Sequence, residues 1–286
     1  MEPIIITEIF NCNLQKVWEV LSSESDLKIW YFPVQNYQFE VGKTFTFYEN
    51  STSSEYLHQC TFLAIEPNKT IEYTWTHPTH SKGSSVVKWS FESIDENSTQ
   101  VTLTHTGVEN FSDAGTSFSK ANFEMGWNAI VKTLLRNYLY GIEKLKFEIL
   151  INATAEKIWN TLWLPENYKI WSTSFCEGSY YTGKINSNER IHFLSPNNEG
   201  MYSDVLFYKA NHLVVFKHIG MIKNKVELPI DDETKKWTGS FETYRLTLVG
   251  NETKLNVEVD AMSSFKDYMN KSFPLALQNI KQLAEK

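Results

Sequence analysis

The sequence predicts an α+β protein built from two tandem copies of one domain, each an antiparallel sheet followed by a C-terminal helix. Three observations carry this. First, 286 residues suit about two domains of ordinary size. Second, the chain repeats when slid against itself by 141 residues. Lys16-Val17-Trp18 falls on Lys157-Ile158-Trp159, Ile29-Trp30 on Ile170-Trp171, and Gly42-Lys43 on Gly183-Lys184. Trp is rare, so two Trp coincidences at one offset point to whole-domain duplication rather than a solenoid of short repeats. Third, each half reads strand, helix, several short alternating strands, then helix.

Each element follows from its pattern. The first strand of each copy (3–10, 144–151) alternates and ends at a helix cap, Asn13 or Thr154, whose side-chain oxygen accepts a free backbone N–H. Leu14, Val17, Trp18 and Leu21 then fall at i, i+3, i+4 and i+7, as do Ala155, Ile158, Trp159 and Leu162. In copy one, strands are expected at 44–48, 56–65, 70–77, 86–94 and 100–106, separated by turn-rich gaps such as Glu66-Pro67-Asn68-Lys69. In copy two the corresponding strands are 204–208, 213–219, 241–249 and 254–260. Short turns between consecutive strands imply an antiparallel meander. Phe123, Trp127, Ile130, Val131, Leu134, Leu135 and Tyr138 form the terminal helix of copy one, with Gly141 as its C-cap. Met269, Phe273, Leu277, Ile280 and Leu283 form that of copy two, with Pro274 expected in its first turn. The domains are expected at 1–141 and 142–286.

Composition excludes several classes. Residues 1–141 hold 9 basic and 16 acidic side chains and residues 142–286 hold 18 of each, so neither half has the basic footprint of a nucleic-acid binder. Cys12, Cys60 and Cys176 are widely spaced and form no C-x-x-C, so neither a disulfide framework nor a zinc site is expected. No stretch approaches 18 apolar residues, and the N-terminus lacks a signal peptide's basic region; a cytoplasmic location is expected, and the N-x-[ST] triplets at Asn50, Asn97 and Asn251 follow from composition. No G-x-S-x-G, H-E-x-x-H, Walker A or G-x-G-x-x-G is present, and Asp231-Asp232-Glu233 reads as a solvated loop. No cofactor or metal is expected.

Copy one carries Trp30-Tyr31-Phe32-Pro33, Gly42 before a strand, Leu103-Thr104-His105-Thr106-Gly107 ending the last strand, and Gly126-Trp127 in the terminal helix. In these it resembles the activator of Hsp90 ATPase homologue domain over residues 1–140. Residues 144–286 resemble the wider START-like (SRPBCC) superfamily, with Val259 where His105 stands and Ser272-Phe273 in place of Gly126-Trp127. The resemblance implies two helix-grip (START-like) domains, each a curved antiparallel sheet wrapped around a long C-terminal helix, with a cavity between them. It implies an apolar ligand (lipid, polyketide or aromatic metabolite), no shared catalytic residues, and Hsp90-type chaperones as alternative partners.

Alternation places Ile71, Tyr73, Trp75 and His77 on one face, as it does Val87, Trp89 and Phe91, and Val101, Leu103 and His105. With Trp30 and Trp127 these give a large aromatic lining, which is either a packed core or the wall of a pocket. The candidate ligand-binding residues are Trp30, Tyr73, Trp75, Trp89, His105 and Trp127, with His105 read either as a hydrogen-bonded core residue or as a polar group of the pocket. In copy two, His218 and Glu242 point inward on neighbouring strands and form a candidate acid/base pair. Non-catalytic binding of a small apolar molecule is the first expectation. A co-chaperone-like interaction module and a cyclase or aromatase using His218 and Glu242 are the alternatives.

Overall fold

A computed structural model describes residues 2–49 and 56–286; the Asn50 triplet lies outside them. The chain divides into two compact units, Met1–Leu139 and Tyr140–Lys286.

Unit 1 runs β1 (Ile4–Phe10), α1 (Leu14–Ser22), α2 (Glu24–Trp30), β2 (Thr44–Tyr48), β3 (Leu57–Glu66), β4 (Thr70–Thr76), β5 (Ser84–Asp95) and β6 (Ser98–Thr106). Its sheet has the order β1-β6-β5-β4-β3-β2, antiparallel throughout. The terminal helix starts as α3 (Lys120–Ala129), widens to a π-helical segment at Ile130–Leu135 and ends as α4 (Arg136–Leu139). Gly141 follows with φ 63°, the left-handed backbone that glycine tolerates at a helix end.

Unit 2 repeats the plan: β7 (Ile142–Ile151), α5 (Ala155–Trp163), α6 (Pro165–Trp171), β8 (Tyr180–Gly183), β9 (Arg190–Leu194), β10 (Gly200–Lys209), β11 (Leu213–Lys223), β12 (Val226–Glu227), α7 (Asp232–Trp237), β13 (Phe241–Val249), β14 (Glu252–Met262) and α8 (Lys266–Ala284). The sheet order is β7-β14-β13-β11-β10-β9-β8, with β12 paired to β11. In both units a first strand pairs with the last, and a long C-terminal helix packs its apolar face on the meander. This is the helix-grip arrangement.

The repeat extends to individual hydrogen bonds. Asn13 Oδ1 accepts the Lys16 N–H at 2.8 Å, and Thr154 Oγ1 accepts that of Lys157 at 3.2 Å. Trp30 Nε1 donates to the Val20 carbonyl and Trp171 Nε1 to that of Leu162, each at 3.0 Å. Thr99 Oγ1 and Thr253 Oγ1, on the closing strands, donate at 2.8 Å to the Cys12 and Ala153 carbonyls just ahead of the helix caps. Each repeated Trp thus ties its two helices together while burying its rings, which removes an indole N–H that would cost about 1–3 kcal/mol unpaired.

Three expectations need correction. Pro274 lies inside α8, which starts at Lys266, because the periodic apolar residues mark only the part of the helix that faces the core. Asp231 is the N-cap of α7: its Oδ1 accepts the Thr234 N–H at 2.8 Å, so an acidic cluster read as loop starts a helix instead. Strands β8, β9 and β12 add three members to the second sheet beyond the strands expected there.

Candidate functional site

Burial along the central strands alternates as the period of two requires. Ile71, Tyr73 and Trp75 on β4, Val87, Trp89 and Phe91 on β5, and Val101, Leu103 and His105 on β6 are all buried. These inward faces meet the terminal helix over two different kinds of space. Toward α1 and α2, Trp30, Tyr73 and Trp89 surround a void of only about 20 Å³, together with Leu21, Phe45 and Phe62. That is the room of about one water molecule, so this part is a packed core. Toward the Trp75 end the sheet and helix separate, and a cavity of about 240 Å³ opens. Trp75 and Trp127 line it, with Phe32, Glu49, Tyr56, His58, His77, Ser117, Phe118, Asn122, Phe123, Gly126 and Ile130.

The six candidate ligand residues are therefore divided. Trp75 and Trp127 are brought together at the cavity, ring centroids 5.1 Å apart. Trp30, Tyr73 and Trp89 sit in the packed part, where Trp89 Nε1 donates to the Tyr73 hydroxyl at 2.9 Å. His105 lies behind Trp127, with 0% exposure.

The hydrogen bonds fix the tautomers of two imidazoles, because an indole N–H only donates. Trp127 Nε1 donates to His105 Nδ1 at 2.9 Å, so His105 carries its proton on Nε2 and donates to Ser85 Oγ at 2.7 Å. Ser85 in turn donates to the Trp75 carbonyl at 3.2 Å. His105 is thus a fully satisfied neutral core histidine, and burial, with His77 nearby, lowers its pKa to about 3. Trp75 Nε1 donates to His77 Nε2 at 2.9 Å, which puts the His77 proton on Nδ1. That buried Nδ1 has no hydrogen-bond partner. Burial and the neighbouring His80 lower the pKa of His77 to about 4, and the Leu57 backbone beside the ring acts the other way.

His58 completes the wall. Its ring stacks on Phe47 (4.6 Å, 6°) and meets His77 edge-on at 4.5 Å, and its Nδ1 is also without a partner. Burial, then His77, lower its pKa to about 3. At neutral pH the cavity is therefore an aromatic chamber whose two wall imidazoles are uncharged. His58, Phe32, Tyr56 and Phe118 were not among the sequence candidates. His58 shares the inward face of β3 with Cys60 and Phe62, so alternation could have found it, whereas Phe32, Tyr56 and Phe118 lie outside the strands, where periodicity carries no information.

Two features of the helix shape this space. The π-helical segment begins at Ile130, on the cavity wall; such wide turns interrupt the regular helix and recur at functional sites. Gly126 faces open space: a Cβ placed on it would meet nothing within 4 Å.

In unit 2, His218 and Glu242 do meet, with Nε2 and Oε2 3.3 Å apart. Ser203 Oγ lies 2.8 Å from His218 Nδ1, and the Tyr244 hydroxyl donates to Glu242 Oε1. A β-bulge at Tyr202/Ser203 turns both residues inward, which is how Ser203 reaches His218. The ring of Tyr202 needs Gly220 beside it, where a Cβ would fall 2.6 Å from the ring. Burial, then Glu242, raise the hydroxyl pKa of Tyr244 and Tyr168. The constellation has the atoms of a Ser–His–carboxylate triad, but Ser203 is 0% exposed and a substrate carbonyl has no approach to its Oγ. Around it aromatic rings pack against one another: Trp163 against Tyr244 at 5.0 Å, Phe193 against Phe216 at 5.3 Å, and Phe273 stacked on Phe147 at 4.6 Å.

Among the described residues no cluster of three His, Cys, Asp or Glu is placed to hold a metal ion, and no helix is long and apolar enough to cross a membrane. Residues 11–139 match the family model of the Activator of Hsp90 ATPase homolog 1-like protein. Unit 1 is thus similar to that family over most of its length. No curated protein matches the chain. Among solved structures, the Aha1 dimer from Colwellia psychrerythraea is similar to the chain at 21% identity, covering 50% of it and 96% of its own chain, with a TM-score of 0.40. The di-domain ARO/CYC BexL from the BE-7585A biosynthetic pathway is similar at 9% identity, covering 100% of this chain and 98% of its own, with a TM-score of 0.42. DynU16, from the dynemicin biosynthetic locus, is similar at 14% identity over 100% of this chain and 98% of its own, with a TM-score of 0.40.

Proposed function

We propose that this protein binds one small apolar molecule in the cavity of unit 1, between the Trp75 end of the sheet and the terminal helix, without chemistry on it. The observation that carries the reading is the 240 Å³ space itself, walled by aromatic rings in a region where protein interiors are otherwise close-packed. The space opens to solvent, and an apolar ligand seated in it takes aromatic wall out of water. Unit 2, whose rings interlock, acts in this reading as a folded partner domain.

The test is native mass spectrometry of the freshly purified full chain, with thermal-shift screening of apolar and aromatic compounds. A co-purifying adduct, or a compound that raises the melting temperature, is expected; a ligand at a hundred times its Kd stabilises by about 2.7 kcal/mol. Absence of both in the wild-type protein would overturn the reading.

The family match motivates a second reading, in which unit 1, with its 9 basic and 16 acidic residues, docks on a basic surface of an Hsp90-type chaperone. A pull-down with that chaperone and an assay of its ATPase separate the two, since the cavity reading requires neither binding nor stimulation.

A further inference from the structure

Unit 2 carries a surface that unit 1 does not. Unit 1 joins β4 to β5 across residues 73–87, whereas unit 2 joins β11 to β13 across residues 216–242, and the longer connection forms β12 and α7. Register sorts its side chains. Lys223 lies opposite Val226 and Ile222 opposite Glu227, and the Leu228 N–H donates to the Met221 carbonyl at 2.9 Å. Met221, Lys223, Val226 and Leu228 therefore share one face of the hairpin, and Ile222 and Glu227 share the other.

The two faces meet different surroundings. Ile222 is buried, and Glu227 accepts from Arg190 at 2.8 Å and lies 2.8 Å from His192 Nε2, so that face is anchored to the sheet. The other faces water. Val226 is 63% exposed and Met221 42%, and Leu228 and Ile230 are exposed as well. Apolar side chains gathered on one exposed face mark an interaction surface, unlike single ones scattered over a protein.

The charges decide the partner. Every carboxylate of the connection is already engaged: Glu227 as above, Asp231 as the cap of α7, Asp232 with Lys235 at 2.9 Å, and Glu233 with Lys236 at 2.6 Å. No ion pair engages Lys223 or Lys225 among the described residues. Lys225 also has φ 66°, next to Asn224 at 51°. Glycine takes that backbone most easily in a two-residue hairpin turn, so a charged side chain stands at the tip against conformational preference.

We propose that this face docks on an anionic lipid surface: Met221, Val226 and Leu228 enter the headgroup layer, and Lys223 and Lys225 meet its phosphates. The site is separate from the chamber of unit 1 and independent of what that chamber holds. The chain carries a net charge of −7, so its overall field repels anions and the attraction comes from this tip. A second copy of the tip is a poor occupant, because it brings the unpaired lysines together.

Sedimentation of the full chain with lipid vesicles tests this, using phosphatidylcholine alone or equal parts phosphatidylcholine and phosphatidylglycerol. We expect at least about tenfold tighter binding to the mixed vesicles, weakening as salt is raised. Met221→Thr with Val226→Thr, and separately Lys223→Gln with Lys225→Asn, should each lower that affinity about tenfold. All four positions are exposed and asparagine tolerates the backbone at 225, so an unchanged melting temperature is expected and checks the fold. A nitrobenzoxadiazole dye on Val226→Cys locates the contact, in a Cys176→Ser background where the remaining Cys12 and Cys60 are buried. Its emission should move to the blue with mixed vesicles, while the same dye on Leu248→Cys, at the exposed end of β13, should stay as in water. Equal binding to both vesicle types, wild-type affinity in either double variant, or an unmoved dye at 226 overturns the proposal. Absence of any vesicle binding overturns it too, and leaves the patch to a protein partner.

Discussion

The two units share a plan and differ in how they finish it. In unit 1 the terminal helix brings Trp127 to the sheet, where its N–H holds His105 and its rings stand 5.1 Å from those of Trp75. In unit 2 the corresponding position is Phe273, which stacks on Phe147 at 4.6 Å and needs no polar partner. Where Trp75 stands on its strand, unit 2 has His218, paired to Ser203 and Glu242. One copy therefore places large rings on the wall of a chamber, and the other packs Phe273 on Phe147 and a His–Glu pair at the matching positions. A duplicated fold can leave a chamber in one copy by exchanging a few interior side chains, with the side-chain hydrogen bonds of the caps and Trp staples kept.

The largest expected effect tests this division of packing. Phe273→Ala removes a ring from a filled core and should cost unit 2 about 3–5 kcal/mol. Trp127→Ala should cost unit 1 a similar amount, because it also strands the Nδ1 of His105, and it should enlarge the chamber. Chemical denaturation of the full chain, followed by indole fluorescence, measures both. Near-zero cost for Trp127→Ala would mean that the ring is a mobile gate rather than a wall.

The next effect concerns acid. His58, His77 and His105 have folded-state pKa values of about 3, 4 and 3, all below the ordinary value near 6.5. An unfolded chain takes up these protons more readily than the folded one. The stability of unit 1 is therefore fully present above about pH 6.5 and is lost progressively as pH falls toward 4. His77 alone accounts for about 3 kcal/mol of that loss. Denaturation midpoints at pH 7.5, 6 and 4.5, with imidazole resonances assigned to unit 1, check the sign; a midpoint that rises on acidification would refute the neutral assignment.

The smallest effect is at Gly126. Alanine there meets nothing within 4 Å and restores a side chain to a helix interior, so Gly126→Ala should stabilise unit 1 by up to about 1 kcal/mol. Thermal melting resolves a change of that size. A destabilised variant would show the space to be smaller than described.

Much of this architecture was legible from periodicity. The repeated Trp18 and Trp159, Trp30 and Trp171 declared the duplication, and alternation along β4, β5 and β6 sorted the inward faces. What alternation does not encode is position along the strand axis. Tyr73, Trp75 and His77 all point inward, yet Tyr73 is packed among Phe45, Phe62 and Trp89, and only the other two reach the chamber. The wall residues Phe32, Tyr56 and Phe118 lie outside the strands and carry no periodic signal. Pro274 and Asp231 were misplaced because local rules for proline and acidic runs yield to tertiary packing and capping. The meeting of His218 with Glu242 was readable from register, whereas the bulge that adds Ser203 was not.

The pairing of first strand with last has a kinetic side. In unit 1, Ile4 lies opposite His105, and in unit 2, Ile142 lies opposite Met262. Each sheet is closed by a contact spanning nearly the whole domain, so loop-closure entropy is spent before its reward arrives, and such topologies fold in milliseconds to seconds rather than microseconds. On a ribosome, β1 would wait with its edge unpaired until β6 had emerged. Of its side chains, Ile5 and Ile9 stay largely solvent-exposed even in the finished fold. The nascent strand is thus the segment most in need of protection from aggregation.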